Sequence, residues 1–150
     1  MTPGRVVAVC LGPGGIPKQP VPSAEVGVLG LEGDRHRFEL HGGENRAVCL
    51  FSTADYASVE RLRVGALPPG SFGENLLVED LDFTELRPGD LLQVGDQVLL
   101  EIHDIREPCA TLKTVDPRFP DLMVGRSGFL ARVQRGGTVR TGMAVVPVPK

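Results

Sequence analysis

A chain of 150 residues can bury one core but is too short for two sizeable ones, so a single domain over residues 1–150 is expected. Apolar residues at 41% and charged residues at 23% exclude a disordered or collagen-like chain. A net charge of -3 excludes a general phosphate-backbone binder, so nucleic acid is not an expected partner.

The opening MTPGRVVAVCLG has too short an apolar run for a secretory signal, and no stretch reaches the roughly 18 apolar residues of a membrane span. A cytoplasmic location without membrane attachment follows as the expectation. Cysteines at 10, 49 and 109 are odd in number and widely spread, which fits free thiols in a reducing compartment.

With 19 Gly and 13 Pro, long helices are disfavoured, and short strands joined by tight turns are expected. In chain order the strands are predicted at Arg5–Cys10, Ala24–Leu29, Arg46–Phe51, Asn75–Val78, Leu91–Val94, Val98–His103, Phe129–Val133 and Ala144–Val148. A helix follows Phe51: Ser52 or Thr53 caps it, Tyr56, Val59, Leu62 and Arg63 recur at helical spacing, and Gly65 stops it. A second helical turn is predicted around Pro117–Met123. Turns at RPGD and VGDQV before apolar runs point to a mainly β fold, a closed or nearly closed barrel with one or two short helices.

Cys10 and Cys49 lie in the apolar runs VVAVCL and AVCLF, where a thiol acts as a small hydrophobe. Cys109 differs, because it follows Pro108 with Arg106 and Lys113 close by to stabilise a thiolate; an incidental surface thiol is the alternative. The segment GLEGDRHRFELHGGENR gathers Asp34, Arg35, His36, Arg37, His41 and Glu44. Its histidine spacing matches no standard zinc pattern, and a basic, glycine-bracketed loop suits an anion better. Alternatively, it is a solvated loop in which Asp34 and the glycines shape a turn. CLGPGGIPK, with Lys18, is similarly ambiguous and carries neither the phosphate loop GxxxxGK[ST] nor GxGxxG. In PPGSFGENL, Pro69 and Gly70 reverse the chain, Gly73 permits a close backbone approach, and Glu74 and Asn75 enter a strand; a plain hairpin is the rival reading. His103 reads as an ordinary strand residue.

Taken in order, PGGIPKQPV, GLEGDRH, HGGENRAVCLFS, LPPGSFGENLLV, LRPGDLLQVGDQVLLE, REPCATLKTVDP and GFLARVQRGGTVRTGM resemble a small stand-alone MOSC domain, over about Gly4 to Val146. That family is named for the C-terminal domain of molybdenum cofactor sulfurase. The resemblance implies a strand-rich barrel like that of pyruvate kinase, and a cysteine that carries sulfur or binds molybdenum. Cys109 occupies that position. PCATLKTVDP is also similar to the corresponding run of the mitochondrial amidoxime-reducing components, where the cysteine ligates the metal of a molybdenum pterin cofactor. Asn75 matches the asparagine of their Arg-Pro-Asn motif, but Gly73-Glu74 replaces Arg-Pro and removes a cation.

On chemistry, Lys18, His36 and Arg106 are assigned to anion contacts, and with Asn75 they are expected to line one pocket with Cys109 at an end of the barrel. The implied function has Cys109 as molybdenum ligand or persulfide carrier, with reduction of N-hydroxylated compounds by an external electron donor. Its expected partners are a small-molecule cofactor or substrate and a redox or sulfur-donor protein. A non-catalytic sulfur or cofactor carrier is the alternative, and a zinc protein using His36, His41 and Cys109 is a third.

Overall fold

The computed structural model describes residues 3–12, 17–34, 44–61, 67–106, 118 and 128–149. Among these residues, eleven strands and one helix run in the order β1 (Gly4–Leu11), β2 (Gln19–Val21), β3 (Ser23–Gly27), β4 (Gly30–Leu31), β5 (Val48–Ser52), α1 (Thr53–Glu60), β6 (Leu76–Glu79), β7 (Leu91–Val94), β8 (Val98–Ile105), β9 (Phe129–Arg135), β10 (Gly137–Arg140) and β11 (Ala144–Pro147). Short 3-10 turns lie at Glu44–Arg46 and Phe83–Glu85.

The larger sheet has the order β11-β7-β8-β9-β5-β6-β1-β2, and β11 also pairs with β1. That pairing closes seven strands into a barrel and leaves β2 on the outside of the ring. A smaller sheet, β10-β3-β4, sits beside it. Among the described residues, no helix is long and apolar enough to cross a membrane.

Strand alternation fills the interior. β8 buries Val98, Leu100 and Ile102 at every second position, and β7 does the same with Leu92 and Val94. Each such side chain contributes about 1.5–3 kcal/mol when fully removed from water. β1 breaks the alternation, because its register against β6 shifts between Val6 and Ala8. The bulge sends Val6 and Val9 into the barrel, while Ala8 and Cys10 turn to a second apolar cluster with Phe51, Tyr56, Val59, Phe72 and Leu77.

That second cluster explains the helix. β5 and β6 are parallel neighbours, a pairing that requires a crossover, and α1 lies in the connection. Ser52 caps α1, its Oγ accepting from the Asp55 N–H at 3.0 Å, and Tyr56 and Val59 are buried against the sheet. Phe51 and Phe72 stack at 5.3 Å, and Tyr56 meets both rings edge-on.

Several elements differ in extent from the sequence pattern. The run Ala24–Leu29 divides at an exposed Val28-Leu29 turn, after which Gly30, at φ 116°, starts β4. Arg46 belongs to a 3-10 turn and not to β5. The helix has its C-cap at Arg61; residues 62–66 lie outside the described residues, as does nearly all of the predicted helical turn at 117–123.

Candidate functional site

Three separate segments converge on the Asp34 carboxylate just after β4. Its Oδ1 accepts from the Gly12 N–H at 3.0 Å, and its Oδ2 accepts from Lys18 Nζ at 2.8 Å and Asn75 Nδ2 at 2.9 Å. The ion pair is buried, with Lys18 and Asp34 side chains 7% and 3% exposed. Taking two charges out of water is costly, and here both N–H donors and the ammonium offset the carboxylate's desolvation.

Asn75 has no exposed surface and works as a clamp between strands. Nδ2 also reaches the Cys10 carbonyl at 3.3 Å, Oδ1 accepts from the Cys49 N–H at 2.9 Å, and its backbone bonds to both Cys10 and Cys49. Both amide hydrogens are therefore engaged inside the protein. Lys18 is held from its backbone side as well, because its N–H donates to the Gly70 carbonyl at 2.8 Å. Gly70 has φ 89°, and a Cβ there would sit 2.0 Å from the Lys18 carbonyl oxygen. A close approach of the kind that the sequence suggested for Gly73 is seen at Gly70.

Below this knot Glu74 is fully buried. Its Oε2 accepts from Tyr56 Oη at 2.5 Å and from the Gly70 N–H at 3.0 Å, while Oε1 has no partner among the described residues. Burial and then the Glu74 carboxylate push the Tyr56 hydroxyl's pKa up. Burial, with Glu74 next, pushes the Cys10 thiol up to about 12, against an ordinary 9.0. In the unfolded chain that thiol ionises near pH 9, whereas in the folded chain it stays protonated, so stability should fall as pH rises from about 9 toward 12. Urea midpoints across that range are expected to decline, and less steeply in a Cys10→Ala variant.

Cys49 is buried in β5, within the electrostatic field of three cations. Burial raises its thiol pKa, and Arg106 first, then Lys18 and Arg46, pull it back down. Arg106 directly follows β8, and its N–H donates to the Gly128 carbonyl at 3.0 Å. Nη1 of Arg106 and Nε of Arg46 are buried without a hydrogen-bond partner among the described residues. An unpaired buried donor costs about 1–3 kcal/mol, so such atoms mark where an acceptor belongs.

Of the residues expected to form one site, Lys18 and Asn75 meet at Asp34, while Arg106 follows β8 with its backbone bonded to Gly128. His36 and Cys109, and with them His41, lie outside the described residues. His103 is exposed on β8. Among the described residues no group of three or more His, Cys, Asp or Glu could hold a metal ion. Asp34 and Arg46 were not singled out as site residues in the sequence. Asp34 read as part of an anion-binding loop or as a turn former and Arg46 as strand, whereas Cys49 is buried as its apolar run suggested; the signal available was Asp34 itself, an acid set among basic neighbours. Chemically, the guanidinium donors suit the oxygens of an anion better than a bare cation.

Comparison with known proteins agrees with this architecture. The family model for the MOSC domain matches residues 37–146. A protein of Gibberella moniliformis named "Reductase" is 30% identical over 87% of this chain and 25% of its own length. YflK of Bacillus subtilis is 32% identical over 85% of this chain and 60% of its own length. The crystal structure of YiiM from Geobacillus stearothermophilus superposes with a TM-score of 0.82 at 26% identity, over 97% of this chain and 75% of that one. The chain thus spans between a quarter and three fifths of these two curated relatives. A closed β-barrel of matching shape and a family model covering most of its length identify the chain as a member of the MOSC domain family.

Proposed function

We propose that this MOSC chain works with the molybdenum cofactor through Cys109, whose thiolate either ligates the metal or carries sulfane sulfur. The observation behind the reading is the family match, since residues 37–146 include Cys109 in the run REPCATLKTVDP. When bound, the cofactor supplies redox chemistry at molybdenum. The chain's own part is to offer a soft thiolate at Cys109 and guanidinium donors at Arg106 for the pterin phosphate, with Lys18 and Asn75 holding the surrounding segments in place. His36 is proposed as a further anion contact.

Reduction of N-hydroxylated compounds, with electrons from an external donor, is the proposed reaction of the loaded protein. The Gibberella relative's name supports a redox setting. In the carrier role, the Cys109 thiolate attacks the outer sulfur of a donor protein's persulfide, the donor leaves as a thiolate, and the sulfane sulfur stays on Cys109.

Protein expressed in a host that makes the cofactor should contain molybdenum and pterin, or sulfane sulfur, and the Cys109→Ser variant should lose most of it. Equal contents in the two proteins would remove the proposed role of Cys109. Turnover of an N-hydroxylated substrate with a chemical reductant selects the enzyme; bound cofactor or sulfur without turnover selects the carrier.

A further inference from the structure

Two apolar residues stand where a tight hairpin turn ordinarily carries polar ones. β3 and β4 pair at Gly27 and Gly30, so Val28 and Leu29 form the two-residue turn between them, with 55% and 65% of their surface exposed. Such turns favour Asn, Asp and Gly, because one or both central positions take positive φ. Among the described residues Asp80 alone of the non-glycines has positive φ, so Val28 and Leu29 do not supply that geometry. Neither do they pack in the barrel core. A local choice that serves neither turn nor core points to a contact outside the chain.

A groove of about 550 Å3 opens beside the turn, between β3, β10 and the β7–β8 turn. Gly136 joins the two, since a Cβ there would lie 2.3 Å from the Val26 carbonyl oxygen and 3.8 Å from Gly27 Cα. Glu25 and Asp96 line the groove, and the Glu32 N–H donates to the Glu25 carbonyl at 2.8 Å, which sets a third acid next to them. All three are exposed. Arg135 is the groove's cation, and its guanidinium donates to the Gln97 carbonyl at 2.8 Å and to Gln93 Oε1 at 3.1 Å.

We infer that the Val28-Leu29 turn is a docking tip for a second protein whose contact surface is apolar at its centre and rimmed by lysines or arginines. Val28 and Leu29 are the apolar anchors, and Glu25, Glu32 and Asp96 meet the basic rim, with the groove wide enough to admit one of its side chains. Charge sorts the possible occupants. A second copy of this chain, placed tip to tip, would set these acids against the same acids, and an anionic phospholipid surface would be repelled by them. A basic protein surface gains at both the centre and the rim. The docking face contains none of the residues proposed for the cofactor, so it stands or falls apart from Cys109.

A synthetic amphipathic peptide of leucine and lysine, its apolar stripe edged by lysines, is the probe. Titrated into the full chain, it should give saturable amide shifts confined to residues 25–32, 96–97 and 135–138. Val28→Ser and Leu29→Ser lie at exposed positions and should keep the native thermal midpoint, while each weakens binding about tenfold through loss of one apolar anchor. The double variant Glu25→Gln with Glu32→Gln should weaken binding severalfold and flatten its dependence on salt. The same peptide with glutamate in place of each lysine should not bind. Absence of saturable binding, shifts confined to another face, native affinity in Leu29→Ser, or equal binding of the glutamate peptide overturns the inference. So does a native dimer in sedimentation that Leu29→Ser dissolves, or anionic phospholipid vesicles that retain the native chain and release Leu29→Ser.

Discussion

Replacing Asp34 by alanine should cost the fold about 3–5 kcal/mol, the penalty for leaving one member of a buried ion pair without its partner. The Lys18 side chain is 7% exposed, and its backbone N–H is fixed to the Gly70 carbonyl at 2.8 Å, so the ammonium is held away from water. The same substitution strips an acceptor from Asn75 Nδ2 and from the Gly12 N–H. Three donors lose their partner at once. The double variant Lys18→Met with Asp34→Asn should recover most of the loss, since a neutral pair of similar shape removes the desolvation penalty along with the attraction. Urea denaturation of the native chain and these two variants measures both effects. A loss below about 1 kcal/mol in Asp34→Ala would mean that the pair behaves as an exposed one.

Gly128→Ala is expected to be nearly as damaging, at about 3 kcal/mol. Gly128 has φ 78°, a left-handed conformation that costs an L-residue about 1–2 kcal/mol. An added Cβ would lie 1.9 Å from the Leu50 carbonyl oxygen, so backbone and not a side-chain tip must move, and such overpacking costs about a further 1–3 kcal/mol. The effect reaches Arg106 as well. Gly128 accepts the Arg106 N–H at 3.0 Å, so displacing it shifts the base of that guanidinium arm. Chemical denaturation should report the loss; native stability would show that the β5–β9 contact yields easily.

How much of this was legible in the sequence depends on the range of each interaction. The strands with clear alternation, such as Val98–Ile105 with Val98, Leu100 and Ile102 inward, were visible because their signal is local. β2 contains Pro20, β4 is two residues long and β10 begins at a glycine, so none carries a periodic pattern, and each exists only because a partner strand lies alongside. The helix start at Ser52 was readable from its cap.

The site was less accessible, for the same reason. Asn75 looked like a residue that satisfies its own strand end, whereas its partners are Cys10 and Cys49, 65 and 26 residues away along the chain. An apolar run such as AVCLF does not tell which side of a barrel wall each residue takes. The outward turn of Cys10 depends on a bulge in β1 that shows itself only in the pairing with β6. Lys18 read as a free cation because its counter-ion is 16 residues on, in a loop whose other residues are mostly basic or glycine.

The ring closes where β11 meets β1, with Gly4 opposite Val145 and Arg5 opposite Ala144. A chain emerging from the ribosome therefore keeps an open seam until β11 is released, and the Gly4–Arg5 end of β1 must wait with one edge unsatisfied while the strands between are made. Such long-range closure makes assembly slow relative to a helical protein of this size, and gives the nascent chain its period of greatest exposure to aggregation.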